Sequence, residues 1–394
     1  MSVNQLLPEE GIIVMSNTYD YHSIISTISQ VDDGAELNVK SRSGRRIPYE
    51  RYKMDSLAIS DLMRRALPER SVWYNMSNCG TQLIFARLRD GERRLLNANF
   101  CRARLCPMCQ ARRSSKARAQ MSQIVNSLNK LGCYRYIFLT LTLRNCLLCD
   151  TVLSDTLTQI SKAWQRLMQR KRVSDVVCGY YKSLEITCDL NEHITDDMYK
   201  QAKQYYDARG LRAGDINPNY YNAHPHIHAI LCVNSRYYDN PGRLYISQAE
   251  WTSLWADALR IDYTPILDVR KISDALSDND MQAVLEVTKY CTKSSDLLSG
   301  DCPEEMREMA LRDLYYGTYG RRYISLGGVI REQHKALCLS DIEDDDDICS
   351  DMTLPTDIVG LEGYIWRSGV SGGKYVRDAM TARMYAQMCK DRGY

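Results

Sequence analysis

The alternation of apolar and polar residues predicts three strands at the centre of the fold. Residues 134–143 (YRYIFLTLTL) and 176–187 (VVCGYYKSLEIT) are rich in β-branched and aromatic side chains and alternate in polarity, as half-buried strands do. Residues 225–233 (PHIHAILCV) are more apolar, which is expected of a central strand buried on both faces.

The segments between these strands have the longer period of amphipathic helices. Helices are predicted at residues 110–131, 153–170, 248–259 and 277–298, and a short strand at 263–270. Residues 189–222 are polar and tyrosine-rich with a helical middle at 198–206, and they are predicted to form an insertion between two strands. This mixture predicts an α+β fold, with helices packed on one face of an antiparallel central sheet.

The composition is that of a folded, soluble protein. Hydrophobic residues make up 44% of the chain and charged residues 25%, which is ordinary for a globular protein. No uninterrupted apolar run is long enough to span a bilayer, and residues 1–20 lack the apolar core of a signal peptide, so we expect a cytosolic protein with no membrane partner. In that compartment the 15 cysteines are expected to be reduced thiols and metal ligands.

Four cysteines have a spacing that is typical of a structural zinc site. Three lie in ANFCRARLCPMC and one in the turn-like YNMSNCG, and the set is Cys79, Cys101, Cys106 and Cys109. Tetrahedral Zn²⁺ needs four such ligands, and the C-x2-C turn supplies two of them. Buried free cysteines are the alternative, but a polar, arginine-rich loop is poorly suited to a core. A second C-x2-C pair, Cys146 and Cys149, has no partner pair and is interpreted as structural.

The zinc-type cysteines lie in a basic part of the chain. Between Lys40 and Arg118 there are 19 Lys and Arg residues against six Asp and Glu, although the net charge of the whole chain is only +2. Such a bias is expected of a segment that faces phosphates. The candidates for DNA contact flank the cysteines and are Arg102, Arg104, Arg112, Arg113, Lys116 and Arg118. A solvated helix face is the alternative for each of them.

Three of the six histidines occur within five residues, in His224-Pro225-His226-Ile227-His228. Because alternate side chains of a strand share a face, His226 and His228 are expected to point together at one ion. Glu185, on the second predicted strand, is the candidate third ligand, although it can equally form a surface ion pair. Two imidazoles and a carboxylate leave coordination positions open, which suits a catalytic Mg²⁺ or Mn²⁺.

The predicted helix at residues 277–298 carries a candidate nucleophile. Glu286, Tyr290 and Lys293 are spaced at i, i+4 and i+7 and therefore share one face. A phenol with a pKa near 10 attacks poorly until a neighbouring base or cation helps it lose its proton. With 27 tyrosines in the chain, the spacing alone equally permits a structural role for Tyr290.

Composition and motifs divide the chain into four predicted regions. They are residues 1–70, of unassigned role; 71–132, a basic zinc-binding and DNA-docking segment; 133–300, the core with its insertion; and 301–394, a helical and acidic region. The acidic block SDIEDDDDI at residues 340–348 is predicted to be a solvated boundary. Residues 360–377 contain glycine, arginine and aromatic residues that would suit nucleic-acid contact, but a loop is the favoured prediction.

Three of these stretches occur in the order found in one family. FLTLTLRN at residues 138–145 resembles the first motif, HPHIHAIL at 224–231 the metal motif, and EVTKYCTK at 286–293 the nucleophile motif of the single-tyrosine plasmid rolling-circle replication initiators of the HUH endonuclease superfamily. The cysteine-rich residues 99–114 resemble the lead-in of one branch of that family. The resemblance covers residues 79–296, about half of the chain.

The resemblance implies an HUH/RRM-like sheet and a defined chemistry. Tyr290 would attack origin DNA to give a 5′-phosphotyrosyl enzyme and a free 3′-hydroxyl, and Glu286 would activate water to end the cycle. His226 and His228 would hold the metal, with Glu185 as the third ligand. The implied partners are plasmid origin DNA, single-stranded or as a hairpin, with a host helicase and a host DNA polymerase. Residues 189–222 and the acidic C-terminal region depart from the family pattern.

Two other interpretations remain open at this stage. A transposase or a mobilisation relaxase of the HUH type would use the same active site for a different purpose. A non-enzymatic, zinc-containing DNA-binding regulator would have structural histidines, and it would explain the cysteines and the basic segment alone.

Overall fold

The computed structural model describes residues 34–41, 44–239, 244–272, 284, 287–288, 294–299, 301–343, 358–369 and 372–391. Within these residues the strands are β1 (Gln82–Leu88), β2 (Arg93–Ala98), β3 (Tyr134–Thr142), β4 (Cys146–Leu147), β5 (Val177–Asp189), β6 (Asn222–Asn234), β7 (Leu267–Ile272), β8 (Ile324–Gly327), β9 (Ile358–Gly369) and β10 (Gly372–Arg377). The α-helices there are α1 (Tyr49–Ala66), α2 (Val72–Asn78), α3 (Pro107–Lys130), α4 (Asp150–Gln169), α5 (Lys171–Ser174), α6 (Asp196–Gln201), α7 (Lys203–Asp207), α8 (Gln248–Leu259), α9 (Glu304–Gly317), α10 (Gly328–Ala336) and α11 (Ala379–Asp391).

The core is a six-stranded antiparallel sheet. Five of its strands have the order β7-β3-β6-β5-β8, and the sixth, β4, pairs with β6. The central position of β6 is the one predicted from its apolar sequence. Its two faces are both buried, since Ile227 and Leu231 on one face and Ile230 and Cys232 on the other are inaccessible to solvent. The sheet and its covering helices confirm the predicted α+β class.

Helices α4 and α8 cover the sheet face that carries Ile227 and Leu231. The indole N–H of Trp255 in α8 donates to the carbonyl oxygen of Thr142 at 2.7 Å, and the ring of Trp164 in α4 meets Tyr180 edge-on at 5.1 Å. The bounds predicted for α8, residues 248–259, are the same as those in the structure. Its Ser247 side chain accepts from the Glu250 amide at the N-terminus, and Arg260 ends the helix in a left-handed conformation.

The opposite face carries His226 and His228 and is covered at its far end by α10. Gly179 of β5 lies opposite Cys232, and a Cβ atom there would stand 2.9 Å from the backbone nitrogens of Val329 and Ile330. Glycine is therefore required for this close approach of helix and strand. The other end of this face, around His226, is less completely buried.

A second antiparallel sheet, of order β10-β9-β1-β2, joins the basic segment to the C-terminal region. The loop predicted at residues 360–377 is wrong, because this stretch forms the hairpin of β9 and β10. β9 pairs with β1 through contacts such as Leu83 with Tyr364. One face of this sheet packs on α11 through Ala382 and Ala386, and the other faces the main core. The C-terminal region thus contributes strands as well as helices.

The region left unassigned by the sequence contains α1. The helix follows Pro48 and has an acidic residue in its first turn and two arginines in its last, as favoured by the helix dipole. Its buried face carries Ile59, Leu62 and Met63, but also Lys53 and Ser56, which are fully buried. These two polar residues lie beside the zinc-type cysteines.

The bounds of the other predicted helices and strands agree with the structure to within a few residues where it describes them. The predicted insertion at residues 189–222 lies between β5 and β6 and contains α6 and α7. Most of the helix predicted at residues 277–298 lies outside the described residues. The described element within this range is a 3-10 helix at Ser294–Leu297. In the described parts of the chain, no helix has the length and apolarity needed to cross a membrane.

A buried ion pair ties three strands of the second sheet together. The carboxylate of Glu362 in β9 is 2% exposed and accepts from Arg93 of β2 at 2.7 Å and from Tyr364 at 3.0 Å, and it lies 3.3 Å from Arg377 of β10. Burial alone would raise the pKa of Glu362, but the hydrogen bond from Arg93 and the charge of Arg377 outweigh it, so the pKa lies below its ordinary value.

The substitution Glu362→Gln is therefore expected to destabilise the fold by about 3 kcal/mol, since it leaves two arginines without their buried carboxylate. A urea titration near neutral pH would measure the loss. Because the folded pKa of Glu362 is lowered from 4.5, its contribution is complete above that pH and disappears as the pH falls through the folded value. The variant should consequently be less acid-sensitive than the parent.

The matched control is Glu36→Gln, which removes an exposed ion pair with Lys374 of the same hairpin, 2.7 Å apart. No measurable change is expected there, because exposed pairs contribute little. Equal stability of Glu362→Gln and Glu36→Gln would show that the buried pair does not support the sheet.

Candidate functional site

Three side chains that can bind a metal meet on adjacent strands β5 and β6. The register pairs Glu185 with His226 and Ser183 with His228, so all four side chains lie on the same face of the sheet. Oε2 of Glu185 lies 3.2 Å from Nε2 of His226 and 3.0 Å from Nε2 of His228. The carboxylate and His228 are buried, with 4% and 5% exposure. The structure thus brings together the predicted metal ligands.

Hydrogen bonds on the far side of each imidazole direct Nε2 at the carboxylate. Nδ1 of His226 lies 3.0 Å from the carbonyl oxygen of His224, which can only accept, so the ring nitrogen is the donor. A neutral His226 then presents a lone pair at Nε2 to an oxygen that also carries lone pairs. Two such atoms 3.2 Å apart repel, and either a shared cation or a proton on Nε2 removes that repulsion. The donor set therefore fits a bound cation.

The distances within this cluster suit one metal ion shared by the three side chains. Neighbouring ligands of an octahedral ion with bonds of about 2.1 Å are separated by about 3.0 Å, which matches the 3.0 and 3.2 Å contacts of Glu185. Tetrahedral zinc at about 2.0 Å would separate its ligands by about 3.3 Å. The cluster therefore has the dimensions of a site for one divalent ion.

Two residues of β3 hold His228 in place. Both lie in the FLTLTLRN stretch, although the sequence pattern assigned neither of them a role. The hydroxyl of Thr140 lies 3.1 Å from Nδ1 of His228, and Thr140 is its register partner. The ring of Phe138 stacks on His228 with centroids 5.6 Å apart and planes at 20°. Together they fix the orientation of the imidazole before any ligand arrives.

The four zinc-type cysteines also converge, although they come from separate segments. Cys79 follows α2, Cys101 follows β2, and Cys106 and Cys109 lie at the start of α3. The Cys109 sulfur lies 3.6 Å from that of Cys79 and 3.7 Å from that of Cys101. Four thiolates around zinc at about 2.3 Å are separated by about 3.8 Å. The cluster therefore has the dimensions of a tetrahedral zinc site.

Backbone and hydroxyl groups stabilise negative charge on these sulfurs. The amide of Cys101 donates to the Cys79 sulfur at 3.4 Å, and that of Arg102, which has a φ of 64°, donates to the Cys109 sulfur at 3.2 Å. Burial would raise the pKa of Cys106, but its contacts with the other thiols and with Ser56 lower it well below its usual range. Contacts with Cys101 and Cys106 and burial raise the pKa of Cys79, so a bound cation would favour its thiolate form.

Lys53 is a buried positive charge beside the cysteines, and the sequence motifs did not indicate it. Its side chain is inaccessible to solvent, and Nζ donates to the carbonyl oxygens of Ser77 and Cys79, both at 2.7 Å. A zinc ion with four thiolates carries two negative charges, which a buried ammonium partly compensates. One feature of the sequence could have indicated that Lys53 is buried. It lies three residues before Ser56 and six before Ile59, and so falls on the buried face of α1.

The comparison with known proteins agrees with this geometry. A family model described as Replication protein matches residues 92–366, which is more than half of the chain. The chain belongs to this replication protein family. The match confirms the resemblance to plasmid rolling-circle replication initiators that the motifs predicted.

Curated relatives extend the match over most of the replication protein. A Protein rep of Streptococcus pneumoniae serotype 2 is 31% identical over 308 residues, covering 78% of this chain and 85% of the relative. A Protein rep of a Bacillus species is 35% identical over 284 residues, with 68% and 81% covered. A Replication protein of Staphylococcus aureus is 29% identical over 219 residues, with 55% and 80% covered. No solved structure gives a significant match.

The predicted DNA-contacting residues of this replication protein differ in their exposure. Arg102 and Arg118 are exposed, and Arg104 and Arg112 are half-buried. Arg113 is 1% exposed and donates to the carbonyl oxygen of Arg102 at 2.6 Å.

Two of these basic side chains connect to the C-terminal region. Lys116 is 7% exposed and donates to the carbonyl oxygen of Asp341 at 3.2 Å, and Arg104 bonds to the carbonyl oxygen of Arg321. Burial favours structural roles for Arg113, which contacts the cysteine loop, and for Lys116, which contacts the C-terminal region. Arg102 and Arg118 are the better placed for phosphate contact.

The predicted nucleophile Tyr290, with Glu286 and Lys293, lies outside the described residues. The segment that follows is described, and its Asp296 carboxylate accepts from the backbone amide of Cys188 at 3.3 Å. Cys188 is three residues beyond Glu185 on β5. The chain immediately after the nucleophile motif therefore lies at the end of the sheet that carries the metal ligands.

The substitutions Cys106→Ser and Cys109→Ser are each expected to reduce bound zinc from about one ion per chain to nearly none, because three remaining ligands bind zinc far more weakly. Metal analysis of the purified protein measures this directly. Cys146→Ser is the matched control and should keep its zinc, since Cys146 lies outside the cluster. Full retention of zinc by both cluster variants would contradict the site.

Proposed function

We propose that this replication protein is a metal-dependent, single-tyrosine DNA nickase of the HUH type that starts rolling-circle replication at a plasmid origin. The observation that carries the proposal is the convergence of Glu185, His226 and His228 on one point of the sheet. Membership of the Replication protein family supports plasmid replication rather than transposition or mobilisation as its purpose.

The first step is cleavage of one strand. Tyr290 loses its phenolic proton to solvent, assisted by the ammonium of Lys293 one turn further along the predicted helix. The phenolic oxygen bonds to phosphorus while the bond from phosphorus to the 3′ oxygen breaks. That oxygen takes up a proton, which leaves a 5′-phosphotyrosine and a free 3′-hydroxyl for a host polymerase.

Glu185, His226 and His228 would hold a Mg²⁺ or Mn²⁺ ion, whose charge would polarise the phosphate under attack. The protein's own task is to keep the two Nε2 atoms and the carboxylate aligned, which Thr140 and the His224 carbonyl do from behind. The carbonyl fixes which nitrogen of His226 is free to bind.

The short chain lengths that connect Tyr290 and Glu185 to the contact between Asp296 and Cys188 support a position of Tyr290 close to the metal ligands. Asp296 is bonded to Cys188 near the end of β5. Tyr290 precedes Asp296 by six residues, a span of about 9 Å if helical and at most about 20 Å if extended. Glu185 precedes Cys188 by three residues, or about 10 Å of strand. These spans allow the phenol to reach a phosphate bound at the metal.

The cycle is proposed to end by hydrolysis. Glu286 takes a proton from a water molecule, whose oxygen bonds to the phosphorus of the 5′-phosphotyrosine. The bond from phosphorus to the Tyr290 oxygen breaks, that oxygen is protonated, and the DNA leaves with a 5′-phosphate. Zinc held by the four cysteines would keep the loop of Arg102 rigid for contact with origin phosphates. The sequence contains no G-x4-G-K-[ST] stretch, so strand separation is assigned to a host helicase.

Tyr290→Phe should abolish the covalent adduct that forms when the protein is incubated with labelled single-stranded origin DNA and Mn²⁺. We expect a fall of more than about a hundredfold on a denaturing gel, because the attacking oxygen is removed. Tyr319→Phe, which alters a tyrosine that is 67% exposed, should leave the adduct unchanged. An adduct that survives in Tyr290→Phe would exclude Tyr290 as the nucleophile.

Glu286→Ala should separate the two steps of the cycle. Nicking is expected to stay within a few-fold of the parent, while hydrolysis slows by about 10² to 10⁴ through loss of the general base. A time course of adduct formation and release measures both rates. Glu332→Ala, at an exposed glutamate of α10, is the control. Unchanged hydrolysis in Glu286→Ala would remove the role assigned to this carboxylate.

A further inference from the structure

A stacked arginine and tyrosine lie just beyond the end of β3. The guanidinium carbon of Arg144 stands 4.0 Å from the ring centroid of Tyr263. The backbone amide of Arg144 donates to the hydroxyl of the same tyrosine at 3.1 Å. Tyr263 is half-buried and Arg144 is exposed. The tyrosine thus holds both the backbone and the side chain of Arg144, so the arginine is ordered although it faces solvent.

This pair lies beside the metal centre. Thr142, the last residue of β3, is the register partner of the metal ligand His226. The hydroxyl and amide of Thr142 both donate to the carbonyl oxygen of Ile266, at 2.8 and 3.3 Å, which fixes the loop that carries Tyr263. Arg144 is two residues from Thr142, so their Cα atoms are at most about 7 Å apart. A strand bound at the metal would therefore pass close to Arg144.

The chemistry of the pair suits a phosphate. In the described part of the chain, no carboxylate forms an ion pair with Arg144, whereas Arg212 and Arg270 are paired with Asp207 and Asp268. A guanidinium held by stacking keeps its N–H donors for another ligand, and its fork matches the oxygens of a phosphate. The side chain of Ile266 in the same loop is 78% exposed and offers an apolar contact to a base.

We propose that Arg144 and Tyr263 form a strand-binding subsite next to the metal centre, in which Arg144 contacts a backbone phosphate adjacent to the cleaved one. The ligand is single-stranded DNA. Tyr263 acts as a positioning residue that orients the guanidinium. The subsite deepens the proposed nicking function and rests on it.

The test uses the full chain carrying Tyr290→Phe, so that binding is measured without cleavage. Fluorescence anisotropy with a fluorescein-labelled oligothymidine and Mn²⁺, over a series of NaCl concentrations, gives the affinity and its salt dependence. Arg144→Ala should weaken binding about tenfold and reduce the slope of log affinity against log salt by about 0.7, the value for one phosphate on a single strand.

Further variants separate charge from orientation. Arg144→Lys should keep the salt slope because the charge remains, but not the full affinity. Tyr263→Ala should weaken binding about two- to fivefold by releasing the guanidinium, and Tyr263→Phe should bind close to the parent. The matched control is Arg70→Ala, which removes an exposed arginine that lies 5.8 Å over Tyr316 on other elements.

The outcomes distinguish the subsite from the nickase itself. Mn²⁺ affinity, measured by electron paramagnetic resonance, should be the same in Arg144→Ala and the parent. A loss of Mn²⁺ affinity in Arg144→Ala would show that Arg144 supports the structure of the metal site, and it would overturn the subsite. Unchanged affinity and salt slope in Arg144→Ala would also overturn it, while adduct formation by the unmodified chain would leave the nickase intact. Failure of that chain to form an adduct would reject the nickase, and the salt slopes would still decide whether Arg144 binds a phosphate.

Discussion

The register between β5 and β6 is the constraint on which the rest of the molecule depends. It brings the carboxylate of Glu185 within 3.2 Å of two imidazole nitrogens on the neighbouring strand. A slip by one residue would turn Glu185 to the face under the helices. The slip is prevented by Leu184 and Ile186, which are buried on that face. Apolar burial on one side of the sheet therefore fixes the polar cluster on the other.

The cysteine cluster is part of the fold rather than an appended module. Its ligands follow α2 and β2 and begin α3, and α1 supplies the buried ammonium of Lys53. The hydroxyl of Tyr375 in β10 donates to the carbonyl oxygen of Gly80, beside Cys79. A zinc ion bound by these cysteines would stabilise both the basic segment and the C-terminal hairpin, because the two share these contacts.

Local patterns predicted much of the core from sequence, and long-range pairing explains what they missed. The strands β3, β5 and β6 and the helix α8 follow from periodicity, and alternation alone placed His226 and His228 on one face. The hairpin of β9 and β10 was predicted as a loop, since its glycines weaken the strand signal and its partner β1 is about 280 residues away. Arg113 and Lys53 were not identified as buried because their partners are backbone carbonyls, which no sequence motif reveals.

The pairing of β1 with β9 has a consequence for biosynthesis. Gln82 pairs with Ile365, so the second sheet cannot form until residue 365 has been synthesised. At usual translation rates this takes about 15 to 60 s after the synthesis of residue 82. The residues that form the core sheet emerge from the ribosome earlier. A growing chain would thus form the strands that carry Glu185, His226 and His228 before β9 is available to pair with β1.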